Sequence, residues 1–369
     1  MGPLSVFLKS DMGLSYTIAS LHYSAFALGI LLIGVVGGPL VARIGRWRAL
    51  WIAVAGLCVG AVGLIVGRSS LVTIGASFAM GFVGSLIMIL VPSILADIHG
   101  GSRAVALSEA NVLAEIVAAC SPLLLGFFTQ SVGNWRPAMA IPLIAPAVMV
   151  FFFRGERAAI DGKSPEPSGP SRESAVREPL PRIYWVYWIG ILLAEAAEFG
   201  MTSWTSDYLA ISVGMTKVHA AWSVSVFMVA VIVGRLAGSR LVRRFTLQTL
   251  MLISIAVALI GFAAYWLGAG AGAPLVLAGL FVAGLGISGL YPFVMSLALG
   301  VAGAQTVRAS ANATLAAGAA ILCLPLILGR LADSFGIRMA YLAIPIVLLA
   351  LATIVAPTMT MFRSPDRRA

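Results

Sequence analysis

Cys120-Ser-Pro-Leu-Leu-Leu-Gly126 returns as Cys323-Leu-Pro-Leu-Ile-Leu-Gly329, with five of seven residues identical at a spacing of 203. Other pairs hold nearly the same offset: Gly34 and Gly234, Gly38 and Gly238, Arg43 and Arg243, Gly84 and Gly284, Pro92 and Pro292, Gly133 and Gly336. A register this steady identifies a duplication. Glycine and proline set backbone shape rather than hydrophobicity alone, so their recurrence predicts two halves bent and packed at corresponding places.

Hydrophobic residues make up 60% of the 369, charged ones only 10%, and mean hydropathy is +1.01. That leaves too little polar surface to enclose a water-soluble core, so the chain reads as an integral membrane protein. Eleven apolar runs of spanning length follow one another, near 19–42, 49–67, 71–96, 104–130, 137–153, 184–212, 218–239, 247–268, 274–300, 308–331 and 339–360. None alternates apolar with polar as barrel strands do, which predicts an all-α polytopic protein.

The net charge of +10 follows topology rather than a nucleic-acid footprint. Seventeen of the 24 basic residues fall in alternate loops and the C-terminal tail, while the intervening loops carry only Lys9, Arg68, Arg136, Lys217 and Arg338. The positive-inside rule then makes the first set, and the C-terminus, cytoplasmic. Cys58, Cys120 and Cys323 sit inside apolar runs, and His22, His99 and His219 are scattered singly, so neither a redox pair, a metal site nor a cofactor is indicated.

Residues 154–183 break the pattern with six basic residues, five acidic ones and five prolines, the composition of a solvated linker. The expected organisation is a helical bundle over 1–153, this linker, a second bundle over 184–362 and a tail at 363–369. Aligning Gly13 with Gly214, Ala19 with Ala220 and Ser24 with Ser225 gives a partner for helix 184–212 that ends near residue 11. On that register residues 1–9 are the last third of a first helix, followed by eleven complete ones.

Two sixfold halves, a basic turn after the second and eighth helices and a long basic central loop resemble the major facilitator superfamily. The family signature after the second helix reads roughly G-x-L-A-D-R-x-G-R-K. Here the stretch is Gly38-Pro-Leu-Val-Ala-Arg43-Ile-Gly45-Arg46-Trp-Arg48, with Ala42 where the signature has its acid. Gly238-Ser-Arg240-Leu-Val-Arg243-Arg244 keeps the glycine and the basic residues. Gly329 to Arg338 fits the signature by letters but aligns with the opposite side of the bundle. Gly284-Leu-Gly286-Ile-Ser-Gly289 matches a dinucleotide pattern, yet lies mid-helix with no strand before it.

The resemblance implies a two-bundle secondary transporter in the plasma membrane, not an enzyme. It would work as a monomer in the lipid bilayer and move a small organic solute by alternating access, and glutamates within the spans favour proton coupling, by symport or antiport, over simple facilitation. The alternative is a transport-dead sensor or a nonfunctional truncated copy. Weaker similarity of the stretches Glu198-Phe-Gly-Met-Thr-Ser-Trp204 and Asp207-Tyr-Leu209 to fucose-permease-like members hints at sugars, with drug or metabolite export equally open.

Ionisable residues inside a membrane span are costly, which singles out Glu115, Glu195 and Glu198. Glu195, Glu198, Thr202 and Thr205 follow at steps of three, four and three, one polar helical face. In the resembled family this helix lines the central cavity. A carboxyl group there could bind and release a proton as the cavity opens to either side, or could simply hydrogen-bond neighbouring helices. Asn111 and Glu115 form a similar stripe on the fifth helix. Trp204, Ser288 and Tyr291 are further candidates to line the cavity, Trp204 being equally placed for an outer gate. Arg235 reads as a cytoplasmic gate cation, grouped with Gly38, Arg43, Gly45, Arg46, Gly238 and Arg243.

Overall fold

The computed structural model describes residues 2–99, 103–141, 143, 144, 146, 148, 151 and 179–361. By internal contact the chain separates into two compact units, one running from Pro3 to Gly169 and the other from Pro170 onward, with Gly2 assigned to the second. The expected linker straddles that boundary, and its residues 154–178 lie outside the described residues, as does the tail at 363–369.

Among the described residues the structure is helical. In the first unit the helices are α1 (Gly2–Met12), α2 (Tyr16–Ile44), α3 (Arg46–Val66), α4 (Ser70–Ala79), α5 (Leu86–His99) and α6 (Arg103–Val132). Serines start two of them: Ser15 Oγ accepts from Ile18 N at 3.2 Å and Ser69 Oγ from Val72 N at 3.5 Å, each supplying an acceptor for a first-turn N–H. One residue, Gly45, joins α2 to α3. Its φ of 83° and ψ of 154° lie in a region essentially closed to residues with a side chain, which explains the glycine of the signature stretch.

A π-helical turn, Met80–Gly84, separates α4 from α5. It packs on α2 at backbone distance, since a Cβ on Gly81 would strike the Phe26 carbonyl and one on Gly29 the backbone around Gly81 and Phe82. Ile33, Ala49, Leu50, Ala53, Leu86, Leu90 and Ile94 form the apolar core beneath. His22, buried in α2, bridges to α4 through Nε2 and Thr73 Oγ1 at 2.8 Å, with Nδ1 on the Ala19 carbonyl at 3.1 Å.

The second unit consists of α7 (Arg182–Ser212), α8 (Lys217–Leu241), α9 (Leu247–Leu267), α10 (Ala273–Ile287), α11 (Leu290–Ala302), α12 (Thr306–Phe335), α13 (Ile337–Ala340) and α14 (Ala343–Met361). Helix α7 touches α8, α11, α12 and α14. Three of its ring edges donate to carbonyls of α12: Tyr184 to Ala309 at 2.7 Å, Trp188 to Asn312 at 2.8 Å and Trp204 to Pro325 at 3.3 Å. Tyr187 is fully buried, whereas Trp185 is about half exposed.

Helices α9 and α10 close through glycines. A Cβ on Gly279 would meet the Tyr265 backbone, and one on Gly286 the Ala258 backbone. The Gly284-x-Gly286 pattern therefore serves helix packing, as small residues do in membranes.

The duplication is visible in the backbone. Gly13 and Gly214 both have positive φ, 61° and 75°, as do Gly133 and Gly336, 71° and 81°. The span from α4 to α5 breaks at Met80–Gly84, and the span from α10 to α11 breaks at Ser288 and Gly289.

Among the described residues eight helical stretches are long and apolar enough to cross a membrane. Of the other three expected segments, α6 and α7 carry intramembrane acids, and 137–153 lies partly outside the described residues. Bulky apolar side chains such as Leu71, Val35 and Ile260 point outward, 80%, 71% and 67% exposed, which suits a lipid-facing surface.

Candidate functional site

Glu195 and Glu198 stand one turn apart on α7, and the second is held. Arg235 Nη2 on α8 donates to Glu198 Oε1 at 2.9 Å, with the two side chains 36% and 20% exposed. A carboxylate and a guanidinium in a poorly hydrated span each offset the desolvation of the other, so this is the arrangement expected to persist there.

The approach that makes the pair possible rests on Gly234. Any Cβ at that position would run into Ser288 Oγ, and it would lie 2.9 Å from the Leu285 carbonyl. Without a side chain, α8 settles against the end of α10 and brings Arg235 toward α7. Ser288 is itself committed to packing, with Oγ donating to Leu285 O at 2.7 Å.

Glu195 makes no ion pair among the described residues and opens, with Arg235, onto a cleft of about 520 Å³. Tyr291, Pro292, Phe293 and Ser296 of α11 form one wall, and Gly238, Ser239 and Val242 another. Gly238 keeps the space clear, since a Cβ there would sit 3.1 Å from the Phe293 ring. The hydroxyls of Ser239 and Ser296 donate to their own helices, to Leu236 O and Pro292 O, each at 2.8 Å. Their oxygens remain acceptors for whatever enters. The cleft thus combines a carboxylate, a guanidinium, two hydroxyl acceptors and two aromatic rings, in a volume suited to a small organic molecule.

The polar face expected on α7 divides. Thr202 donates to Glu198 O at 2.8 Å and stays half-buried, whereas Thr205 is buried, donating to Met201 O and accepting from Tyr341 at 3.4 Å. Trp204 is fully buried against α12 and does not line the cleft; a large ring with one N–H is satisfied by a carbonyl. The side chains of Asn111 and Glu115, on α6, lie outside the described residues. Gly38, Arg43, Gly45 and Arg46 form the elbow of the first unit, and Arg243 lies in the turn after α8. Arg235, expected as a gate, is a member of the cleft. Sequence reasoning missed Ser239 and Ser296, although Ser296 follows Pro292 by one helical turn.

Arg136, in the first unit, is a buried cation that the sequence did not single out. Its Nη1 donates to the carbonyls of Leu64, Ile65 and Gly67 at 2.9, 2.7 and 3.0 Å, and Nη2 to Asp11 at 3.3 Å. This caps the C-terminal end of α3 and is structural in character.

A family model described as Major Facilitator Superfamily matches residues 1–322. The glucose/galactose transporter of Brucella abortus is 27% identical over 365 residues, covering 91% of this chain and 84% of that protein. The Ascochitine biosynthesis cluster MFS transporter of Didymella fabae is 29% identical over 135 residues, 36% of this chain and only 26% of its own length. Among solved structures, the nucleoside transporter NupG superposes with a TM-score of 0.79 at 14% identity, over 98% of this chain and 95% of that one.

Proposed function

From the premise that the chain belongs to the major facilitator superfamily, we propose that it is a proton-coupled transporter of a neutral polyhydroxylated solute of hexose size. It is a multi-pass membrane transporter and not an enzyme. The observation that carries the finer reading is the grouping of Glu195, Arg235 and Tyr291 around one cleft, with Glu198 paired to Arg235 behind it.

Two carboxylates and one guanidinium sum to a charge of −1, so uptake of one proton makes the group neutral. Neutral groups cross a low-dielectric interior far more cheaply than charged ones. With Glu198 engaged by Arg235, Glu195 is the carboxylate placed to take that proton. Substrate and proton then act on the same cleft, so each can bias the conformational change the other needs.

Sugar hydroxyls need many acceptors, a few donors and an apolar face to lie against. Glu195, Ser239 and Ser296 accept, Arg235 donates, and Tyr291 and Phe293 offer rings. The glucose/galactose relative supports the same substrate class. The organisation we propose with it is a first bundle over 1–153, a linker over 154–183 and a second bundle over 184–362. The protein would sit in the plasma membrane as a monomer with its C-terminus cytoplasmic.

A ligand-induced thermal-shift series on the purified protein tests the substrate class. Glucose and galactose should raise the melting midpoint in a saturable way, and Tyr291→Ala should abolish the shift. Stabilisation by nucleosides or hydrophobic cations, with no response to hexoses, would refute the assignment.

A further inference from the structure

The turn from α8 to α9 carries Arg240, Arg243 and Arg244, which with Leu241 wall a hollow of about 450 Å³. Its backbone is tight: Arg243 N donates to Arg240 O at 3.3 Å and Arg244 N to Leu241 O at 2.9 Å. Three guanidiniums sharing one hollow repel each other unless a counter-charge is present. A helix C-terminus accounts for only about half a negative charge.

The chain supplies no other nearby in sequence. From residue 208 to residue 332 it contains neither Asp nor Glu. The ion pairs of Arg136 with Asp11 and of Arg235 with Glu198 do not involve this turn.

The turn's place in the fold says what kind of anion fits. Lys217–Leu241 and Leu247–Gly270 are both long and apolar enough to cross a membrane, so the turn between them lies at a membrane surface. Beside the arginines, Leu241, Val242 and Phe245 are 40%, 39% and 47% exposed. Apolar side chains left open next to uncompensated arginines match a ligand with a phosphate at one end and hydrocarbon at the other. Guanidinium forks suit phosphate oxygens in two-point contacts.

We propose that this turn binds the headgroup phosphate of an anionic phospholipid, with Leu241 and Phe245 against its acyl chains. The site is distinct from the cleft at Glu195. It tethers the end of α8 five residues beyond Arg235, so lipid binding steadies the helix that carries the ion pair.

The test uses full-length protein in neutral detergent, titrated with phosphatidylglycerol, phosphatidylcholine or sodium phosphate and read by native mass spectrometry and melting midpoint. Phosphatidylglycerol should bind and stabilise, phosphatidylcholine should not, and millimolar phosphate should not displace the lipid. At roughly fivefold per arginine, Arg243→Gln with Arg244→Gln should weaken binding about 25-fold. Lys217→Gln, an exposed cation at the opposite end of α8, should leave binding within about twofold, because only nearby charges act at these screening lengths. Arg243→Lys with Arg244→Lys should retain most of the affinity, which separates lost charge from lost folding. Equal binding of both lipids, undiminished binding by the Gln pair, or displacement by inorganic phosphate would each overturn the proposal, the last by pointing to a free-anion site.

Discussion

Replacing Arg136 with leucine should destabilise the first unit by about 3–5 kcal/mol, and the geometry says why the carbonyls, rather than the ion pair, dominate. Arg136 is 4% exposed and donates to three carbonyls at the end of α3 at 2.7 to 3.0 Å. Hydrogen bonds to a charged group contribute about 1.5–3 kcal/mol each, and partial rehydration of the freed carbonyls brings the sum down. The contact to Asp11 is longer, 3.3 Å, and the Asp11 side chain is 43% exposed, so Asp11→Asn should cost no more than about 1 kcal/mol. Arg136→Lys should recover less than half of the loss, because a compact ammonium lacks the fork that reaches several carbonyls at once. Unfolding of the purified variants in mild detergent, followed by melting midpoint and by denaturant titration, reads all three. If Asp11→Asn costs as much as Arg136→Leu, or if Arg136→Leu costs under about 1 kcal/mol, helix capping is not what this residue does.

Three further outcomes follow from the same geometry. Gly45→Ala forces a side chain onto φ 83° and ψ 154° and should destabilise by about 1–3 kcal/mol. Gly38→Ala, in open space within the same signature stretch, should be neutral or stabilise by about 0.5–1 kcal/mol in the same melting assay. Gly234→Val should push α8 off Ser288 and Leu285, costing about 1–3 kcal/mol and abolishing uptake. In a double-mutant cycle, Glu198→Gln with Arg235→Gln should be milder than Arg235→Gln alone, with a coupling of about 1–3 kcal/mol; a coupling near zero would mean the 2.9 Å contact is not maintained.

The fold was legible where the chain uses residue types with one physical meaning. Long apolar runs can only be spans, and glycines and prolines recurring at a fixed offset mark equivalent bends, two of which share positive φ in both copies. Glu195 and Glu198 stood out because charge inside a span demands an explanation. Their partner did not: Arg235 lies 37 residues from Glu198, and nothing in its neighbours says whether it faces α7 or a gate. Trp204, Ser288 and Thr205 were expected near a cavity because they are polar and lie on the right helices. A single N–H or O–H is readily satisfied by a neighbouring carbonyl, and all three are spent in packing. Arg136 looked like one of a few loop cations, because a guanidinium bound to backbone carbonyls leaves no pattern in sequence.

The most direct test of the account is glucose uptake into proteoliposomes under an imposed pH gradient, comparing the wild-type chain with Glu195→Gln. Wild type should accumulate glucose above its external concentration, and a protonophore should collapse that accumulation. Glu195→Gln should lose accumulation while still equilibrating glucose down its own gradient. Undiminished accumulation by Glu195→Gln with the same pH dependence as wild type would contradict the proposed role of this carboxylate in coupling.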